Sequence, residues 1–369
     1  MFKNSPAIFA VADEYQIMVL TDEKCVMWAR IGDENYFDDS NGILRVGREV
    51  HRMCVPMGKL NREKKYTICA RRVEQTSFHN CAGDDIIEQE YDFYPVPDTN
   101  PRAYQLADTH DVITPCVNAC EFFGKIDFLI MNGDIHDGCY DTDSLYIIYE
   151  IAEKLTHGNI PIVFARGNHG LRDKFAEKLE EYEPTYNGNS YYTFKLGRIW
   201  GIVLDCGEDK ADECDAYHNS IICHSFRKRQ TDFIKRVIEN AKTEYLCDDI
   251  DYRMVVVHIP FTEQLAPPFN IEKEIYLEWS KLIKDNIKPD IMMSGHCHWQ
   301  AINEIGGEKD HLGQPCTVVV GSKFSHTDKS YYAGCGLKFE NASIEVVFND
   351  SEKVLNKHII TLMDRGKSK

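Results

Sequence analysis

The spacing of hydrophobic positions changes near residue 100. Before it, short apolar or alternating runs (Gln16–Leu20, Cys25–Ala29, Glu49–Val55, Tyr66–Val73) are separated by turn-rich pieces at 38–42 and 57–61. Short strands at such intervals predict an all-β sandwich over residues 1–100. Three prolines between Pro95 and Pro101 then suit a stiff extended connection. Beyond it, strand-length apolar runs at Tyr104–Ala107, Phe128–Met131, Ile160–Phe164, Ile199–Leu204, Met254–Val257 and Ile291–Met293 alternate with helical periodicity. Leu145, Ile148, Ile151, Ala152 and Leu155 form one stripe. Phe233, Ile234, Val237, Ile238 and Ala241 form a second, and Ile275, Trp279, Leu282 and Ile283 a third. The tail from Thr317 to Thr361 returns to strands. The fold class expected is a layered α/β domain over 101–369, preceded by the β-sandwich.

Charge narrows the chemistry. A formal net charge of −17 disfavours a nucleic-acid partner, because no local basic patch offsets it. Small anionic substrates stay open, since bound cations reverse a local field. The 14 cysteines are scattered among apolar neighbours, as in Ile68-Cys69-Ala70, and read as reduced core thiols. No apolar run reaches the roughly 18 residues of a membrane span, and the first residues do not resemble a secretory leader. A cytoplasmic protein with no membrane partner is expected.

The residues just past each buried run are more informative. Asp108-Thr-His110 comes after Leu106-Ala107, Gly133-Asp134-Ile-His136-Asp137 after Met131-Asn132, and Gly167-Asn168-His169 after Phe164-Ala-Arg166. His258 comes after Val255-Val-Val257, and Gly295-His296-Cys-His298 after Met293-Ser294. Carboxyl ends of strands in an open α/β sheet share one edge, where sites are built. Imidazole and carboxylate donors without thiolate suit Zn, Fe, Mn or Co. Residues two apart in a strand face the same way, so Asp108 with His110, and His296 with His298, are expected to aim together. The glycines before Asp134, Asn168 and His296 are expected to let the backbone turn.

The ordered set DxH, GDxxD, GNH, a lone His after an apolar run, and GHxH resembles the calcineurin-like metallophosphoesterase superfamily. The resemblance spans Asp108 to His298 and implies a four-layer α/β/β/α sandwich with two divalent ions, Mn, Zn or Fe. It implies that Asp108, His110 and His298 hold one ion, that Asn168, His258 and His296 hold the other, and that Asp134 bridges both. Hydrolysis of phosphomonoesters or phosphodiesters by in-line attack of a metal-bound hydroxide is the implied function, with His169 protonating or stabilising the leaving oxygen. The partner is then a small phosphate ester, with Asn168, His169 and Arg172 as substrate contacts. Residues 1–100, around Thr21-Asp-Glu-Lys-Cys-Val-Met-Trp28, resemble the fibronectin-type sandwich of purple acid phosphatases and their bacterial relatives. A nucleotide or cyclic-nucleotide hydrolase and a catalytically silent scaffold are the alternatives.

Two positions depart from the pattern. Asp137 stands where purple acid phosphatases have a tyrosine ligand, so no Fe(III)–tyrosinate centre is expected; Asp137 instead suits orienting a ligand histidine. Gly170 follows His169, where the family has Glu or Asp, and Arg172 or Asp173 is expected to compensate. His136 reads as a surface histidine. The loop from Cys206 to Cys214, with His218, Cys223 and His224 beyond it, fits no structural zinc spacing and reads as substrate-facing.

Overall fold

The computed structural model describes residues 1–40, 42, 45–74, 82–362 and 365. Among these, the strands form two sheets that pack against each other. The strand Tyr252–Val257 shows why. Met254 and Val256 join one core with both sheets, whereas Val255 and Val257 join a second core with the helices Cys223–Glu239 and Lys273–Leu282. Alternation of side chains across a strand buries both faces, as in a parallel sheet covered on each side.

In the first sheet, Arg102–Leu106, Phe128–Asn132 and Ile162–Ala165 are adjacent and parallel, with Leu106 opposite Met131 and Asn132 opposite Ala165. The helix Thr142–Thr156 returns the chain between the last two, burying Leu145, Ile148, Ile151 and Ala152 as the stripe predicts, with Leu155 only partly covered. Its start is set by a capping box: Asp141 accepts from Ser144 N at 2.8 Å, and Ser144 Oγ accepts from Asp141 N. The second sheet sets Ile199–Leu204, Tyr252–Val257, Ile291–Ser294 and Thr317–Val320 parallel and side by side. The functional strand ends therefore belong to two sheets, and their shared edge is made by packing. Asn132 Nδ2 donates to Met293 O at 3.0 Å, and Gln105 Nε2 to Ser294 O at 2.8 Å, tying the two edges together.

Among the described residues of the first hundred, the regular elements are strands apart from one short helix, and those strands are hydrogen-bonded into the first sheet. Ala7–Val11 runs parallel to Ile162–Ala165, meeting it at Phe9 and Ile162, and pairs antiparallel with the long strand Glu14–Ile31. That strand is irregular between Leu20 and Cys25 and passes from Arg48–Pro56 to Lys65–Arg72 as its neighbour. One continuous core joins Ile17, Met53 and Ile68 to Leu129 and Ile162. The piece 57–61, expected as a turn, starts the helix Met57–Glu63, because Met57 and Leu60, one turn apart, are both buried. No helix among the described residues is long and apolar enough to cross a membrane.

Candidate metal centre

The predicted donors lie just past the strand ends, not within the strands. Asp108, His110, Asp134, His296 and His298 all have positive φ, between 43° and 68°. Left-handed turns, rather than strand alternation, aim each pair, because the chain has left the sheet at Leu106 and at Ser294. Such conformations are costly for non-glycine residues and persist only where the surroundings hold them. Here the turns hold one another: Asp108 N donates to Gly133 O at 3.0 Å and His110 N to Asp134 O at 3.1 Å. His296 N donates to both Asp108 carboxylate oxygens at 2.9 Å. Of the three glycines expected to ease turning, only Gly133 has positive φ, 79°. Gly167 is extended at φ −98° and serves close approach, since a Cβ there would fall 2.1 Å from Asp134 Oδ1.

The side chains converge as the motifs imply. Donor atoms of Asp108, His110 and Asp134 lie within 4.8 Å of one another, as do those of Asp134, His258 and His296, so Asp134 is common to both groups. His298 Nε2 is 3.1 Å from His110 Nε2 and 3.5 Å from Asp108 Oδ1. Asn168 Oδ1 is 3.0 Å from His296 Nδ1. Asp137 Oδ1 accepts from His110 Nδ1 at 2.8 Å, which points the His110 Nε2 lone pair inward.

His258 supplies the test of whether a cation fits. Its Nδ1 donates to Asn132 O at 2.7 Å, leaving the lone pair on Nε2. That Nε2 is buried, 3.0 Å from Asp134 Oδ2 and 3.7 Å from Asp108 Oδ1, yet forms no hydrogen bond. A bare nitrogen facing two buried carboxylates is repulsive unless a positive charge lies between them. In the protein alone the alternative is a proton: burial lowers the His258 pKa, but Asp134 and Asp108 outweigh it and raise the value to about 9. His110 and His296 are instead held near 4, chiefly by burial, and so offer neutral nitrogens. Divalent ions fit this donor set of imidazole, carboxylate and amide oxygen.

His169, one residue past Asn168, donates through Nδ1 to Asp137 O at 2.7 Å and accepts at Nε2 from Arg172 Nη1 at 2.8 Å. Arg172 is itself gripped by the buried Glu208, at 2.8 and 3.1 Å. Asp137 and Arg172, not Asp173, therefore orient His169. A carboxylate, Glu183, is buried behind Gly170 but touches His136 and Arg166 rather than His169. A Cβ at Gly170 would meet Arg166 Cγ at 3.3 Å and His136 Cε1 at 3.4 Å, and Glu183 lies against both residues, 2.7 Å from Arg166 Nε and 3.6 Å from His136 Nε2. His136 is accordingly buried rather than on the surface, and Glu183 and Cys139 overcome its burial to lift it to about 10.

Above the donors opens a cavity of about 380 Å³, lined by Asn168, His169, Arg172, Asp209, Lys210 and Trp299 among others. The loop after Leu204 thus reaches the site through Asp209 and Lys210. Among the described residues no cysteine joins a three-donor group, and His224 pairs with Glu272 at 3.0 Å. Sequence reasoning missed Glu183, Glu208, Ser322, which donates to Asp108 Oδ2, and His326, which groups with His110 and His298. The available signal was Thr317-Val-Val-Val320-Gly-Ser322, another apolar run ending in a small polar turn.

Residues 101–300 match the calcineurin-like phosphoesterase family. The human serine/threonine-protein phosphatase CPPED1 is 26% identical over 206 residues, 54% of this chain and 55% of that protein. Its mouse counterpart is 23% identical over 207 residues, 56% and 57% of the two chains. The chain spans about half the length of these curated relatives. Purple acid phosphatase PPD1 from yellow lupin (Lupinus luteus) seeds shares the fold, with a TM-score of 0.59 at 14% identity over 97% of this chain and 74% of that one. With the matched segment running from the strand Arg102–Leu106 through both histidines of the last motif, this chain belongs to the calcineurin-like phosphoesterase family.

Proposed function

We propose that the chain is a metal-dependent phosphoesterase acting on phosphomonoesters, with Asp108, His110 and His298 at one ion position, Asn168, His258 and His296 at the other, and Asp134 shared. The observation that carries this reading is the convergence of two three-donor groups, Asp108–His110–Asp134 and Asp134–His258–His296, on the one shared carboxylate of Asp134. Two divalent ions there would supply Lewis acidity toward phosphate oxygens and hydroxide at neutral pH. The protein's own part is positional and protonic. Asp137 orients His110, and Asn132 O orients His258. His169 Nε2 now accepts from Arg172; with Arg172 turned onto a phosphate oxygen, that nitrogen is free to take up a proton from water and pass it to the leaving oxygen. Substrate binding thereby frees the catalytic nitrogen. The name of the CPPED1 relatives favours phosphate monoesters of serine or threonine, and the cavity of about 380 Å³ leaves room for a side-chain ester.

Residues 1–100 serve in this reading as a fibronectin-like β unit built into the first sheet of the catalytic part, 101–369, supported by the lupin match covering 97% of the chain. A reducing, cytoplasmic setting accords with thirteen free described cysteines. The test is a chelator-stripped protein reloaded with Zn, Mn or Fe and assayed on p-nitrophenyl phosphate, its bis-ester, a phosphoserine peptide and cyclic AMP. Monoester turnover that depends on metal and vanishes in Asp134→Ala supports the proposal. A reloaded protein that carries no metal and turns over none of these refutes it.

A further inference from the structure

The hairpin beyond the second sheet brings one more histidine to the centre. Lys323–Phe324 pairs antiparallel with the start of Tyr332–Glu340, with Phe324 opposite Tyr332, and so closes the loop 325–331. The hairpin's base is fastened to the strand end that carries Asp108. Tyr332 Oη accepts from Ala107 N at 3.0 Å and donates to Ala107 O at 2.8 Å, while Ser322 Oγ donates to the Asp108 carboxylate. Phe324 is buried beneath three imidazoles, its ring centre 4.9 Å from His110, 5.7 Å from His298 and 5.0 Å from His326. The His326 ring lies 5.2 Å from His110 and 5.0 Å from His298. One nitrogen from each of the three falls within 4.8 Å of the others. Within the loop, Asp328 N donates to Ser325 Oγ at 3.2 Å and Ser330 N to Asp328 Oδ1 at 3.1 Å, which shapes the turn that presents His326.

We propose that His326 is a third imidazole ligand of the ion held by Asp108, His110 and His298. The inference rests on the dinuclear reading and extends it to metal choice. The two positions then differ in donors, three imidazoles at one against two imidazoles and an amide oxygen at the other. Imidazole suits zinc, whereas carboxylate, carbonyl and water suit manganese, so the three-histidine position selects zinc and the other accepts manganese more readily. Because His326 is exposed on a hairpin, its removal leaves the core untouched.

The test uses the whole chain, stripped by chelator and titrated with cobalt(II) while the visible ligand-field bands are monitored, then with zinc and manganese against a chromophoric chelator. For His326→Ala and His326→Asn, one set of cobalt bands weakens and shifts. Zinc affinity at one of the two positions falls by about 10-fold or more, taking the loss of a supporting group as the lower bound. Manganese affinity falls less, and metal-free melting temperatures match the wild type. Unchanged cobalt bands and zinc affinity, with two ions still bound, overturn the proposal and leave the dinuclear reading standing. A wild-type protein that binds no cobalt overturns both.

Discussion

Gly167→Ala isolates how tightly the centre depends on loop spacing. Gly167 has φ −98° and ψ 174°, an extended backbone open to alanine, so the substitution carries no conformational penalty of its own. The added methyl would instead fall 2.1 Å from Asp134 Oδ1 and 2.2 Å from Asp134 N. Reaching ordinary contact requires the 134 and 168 turns to separate by more than about 1 Å. Neither turn is free to move: His169 N donates to Asp134 Oδ1 at 2.9 Å, and Asp134 O accepts from His110 N at 3.1 Å. Overpacking of this kind costs about 1–3 kcal/mol of stability, and a displacement near 1 Å in a catalytic group costs on the order of 10²-fold in rate. The assay is kcat/KM on p-nitrophenyl phosphate after metal reloading, beside bound metal by mass spectrometry and urea unfolding. Gly170→Ala is the matched control, because its Cβ comes no closer than 3.3 Å to a neighbour, Arg166 Cγ, with His136 Cε1 at 3.4 Å. A Gly167→Ala protein with wild-type rate, metal content and stability would refute the reasoning, since the geometry allows no such accommodation.

Other perturbations draw on the same contacts. Asp137→Ala removes the partner of His110 Nδ1 at 2.8 Å and should lower metal affinity about 10–100-fold without unfolding a residue this exposed, as competition titration with zinc would show. Chelation should lower the melting temperature by stranding Asp108, Asp134 and His258 together, and reloading at about 1,000 times Kd should return about 4 kcal/mol. The buried pair His51–Asp38, 3.0 Å apart among the N-terminal strands, predicts a pH effect of its own. Burial lowers the His51 pKa, but Asp38 and Cys25 outweigh it and raise the value to about 9, above the ordinary 6.5. Its stabilisation is therefore complete below about pH 6.5 and lost as pH rises through about 9. Urea midpoints should fall over that window, and Asp38→Asn should flatten the fall while costing roughly 3 kcal/mol at pH 6.

Strand and helix positions, the candidate donors and the motif order were legible along the chain, because side-chain periodicity and ligand chemistry are local properties. Runs such as Met254–Val257 announce a buried strand, and His258 after them announces a polar group at its end. Other facts depended on the packing of distant segments. The strand ends come from two sheets, the turns at Asp108 and His296 adopt left-handed backbone, and His136 lies inside against Glu183. Glu208 restrains Arg172, and His326 arrives from a hairpin whose base is fastened to Ala107 and Asp108. His296 N meets the Asp108 carboxylate across 188 residues of chain. A local pattern says which groups want partners; only the closed tertiary structure, where burial forbids water as the partner, decides which they find.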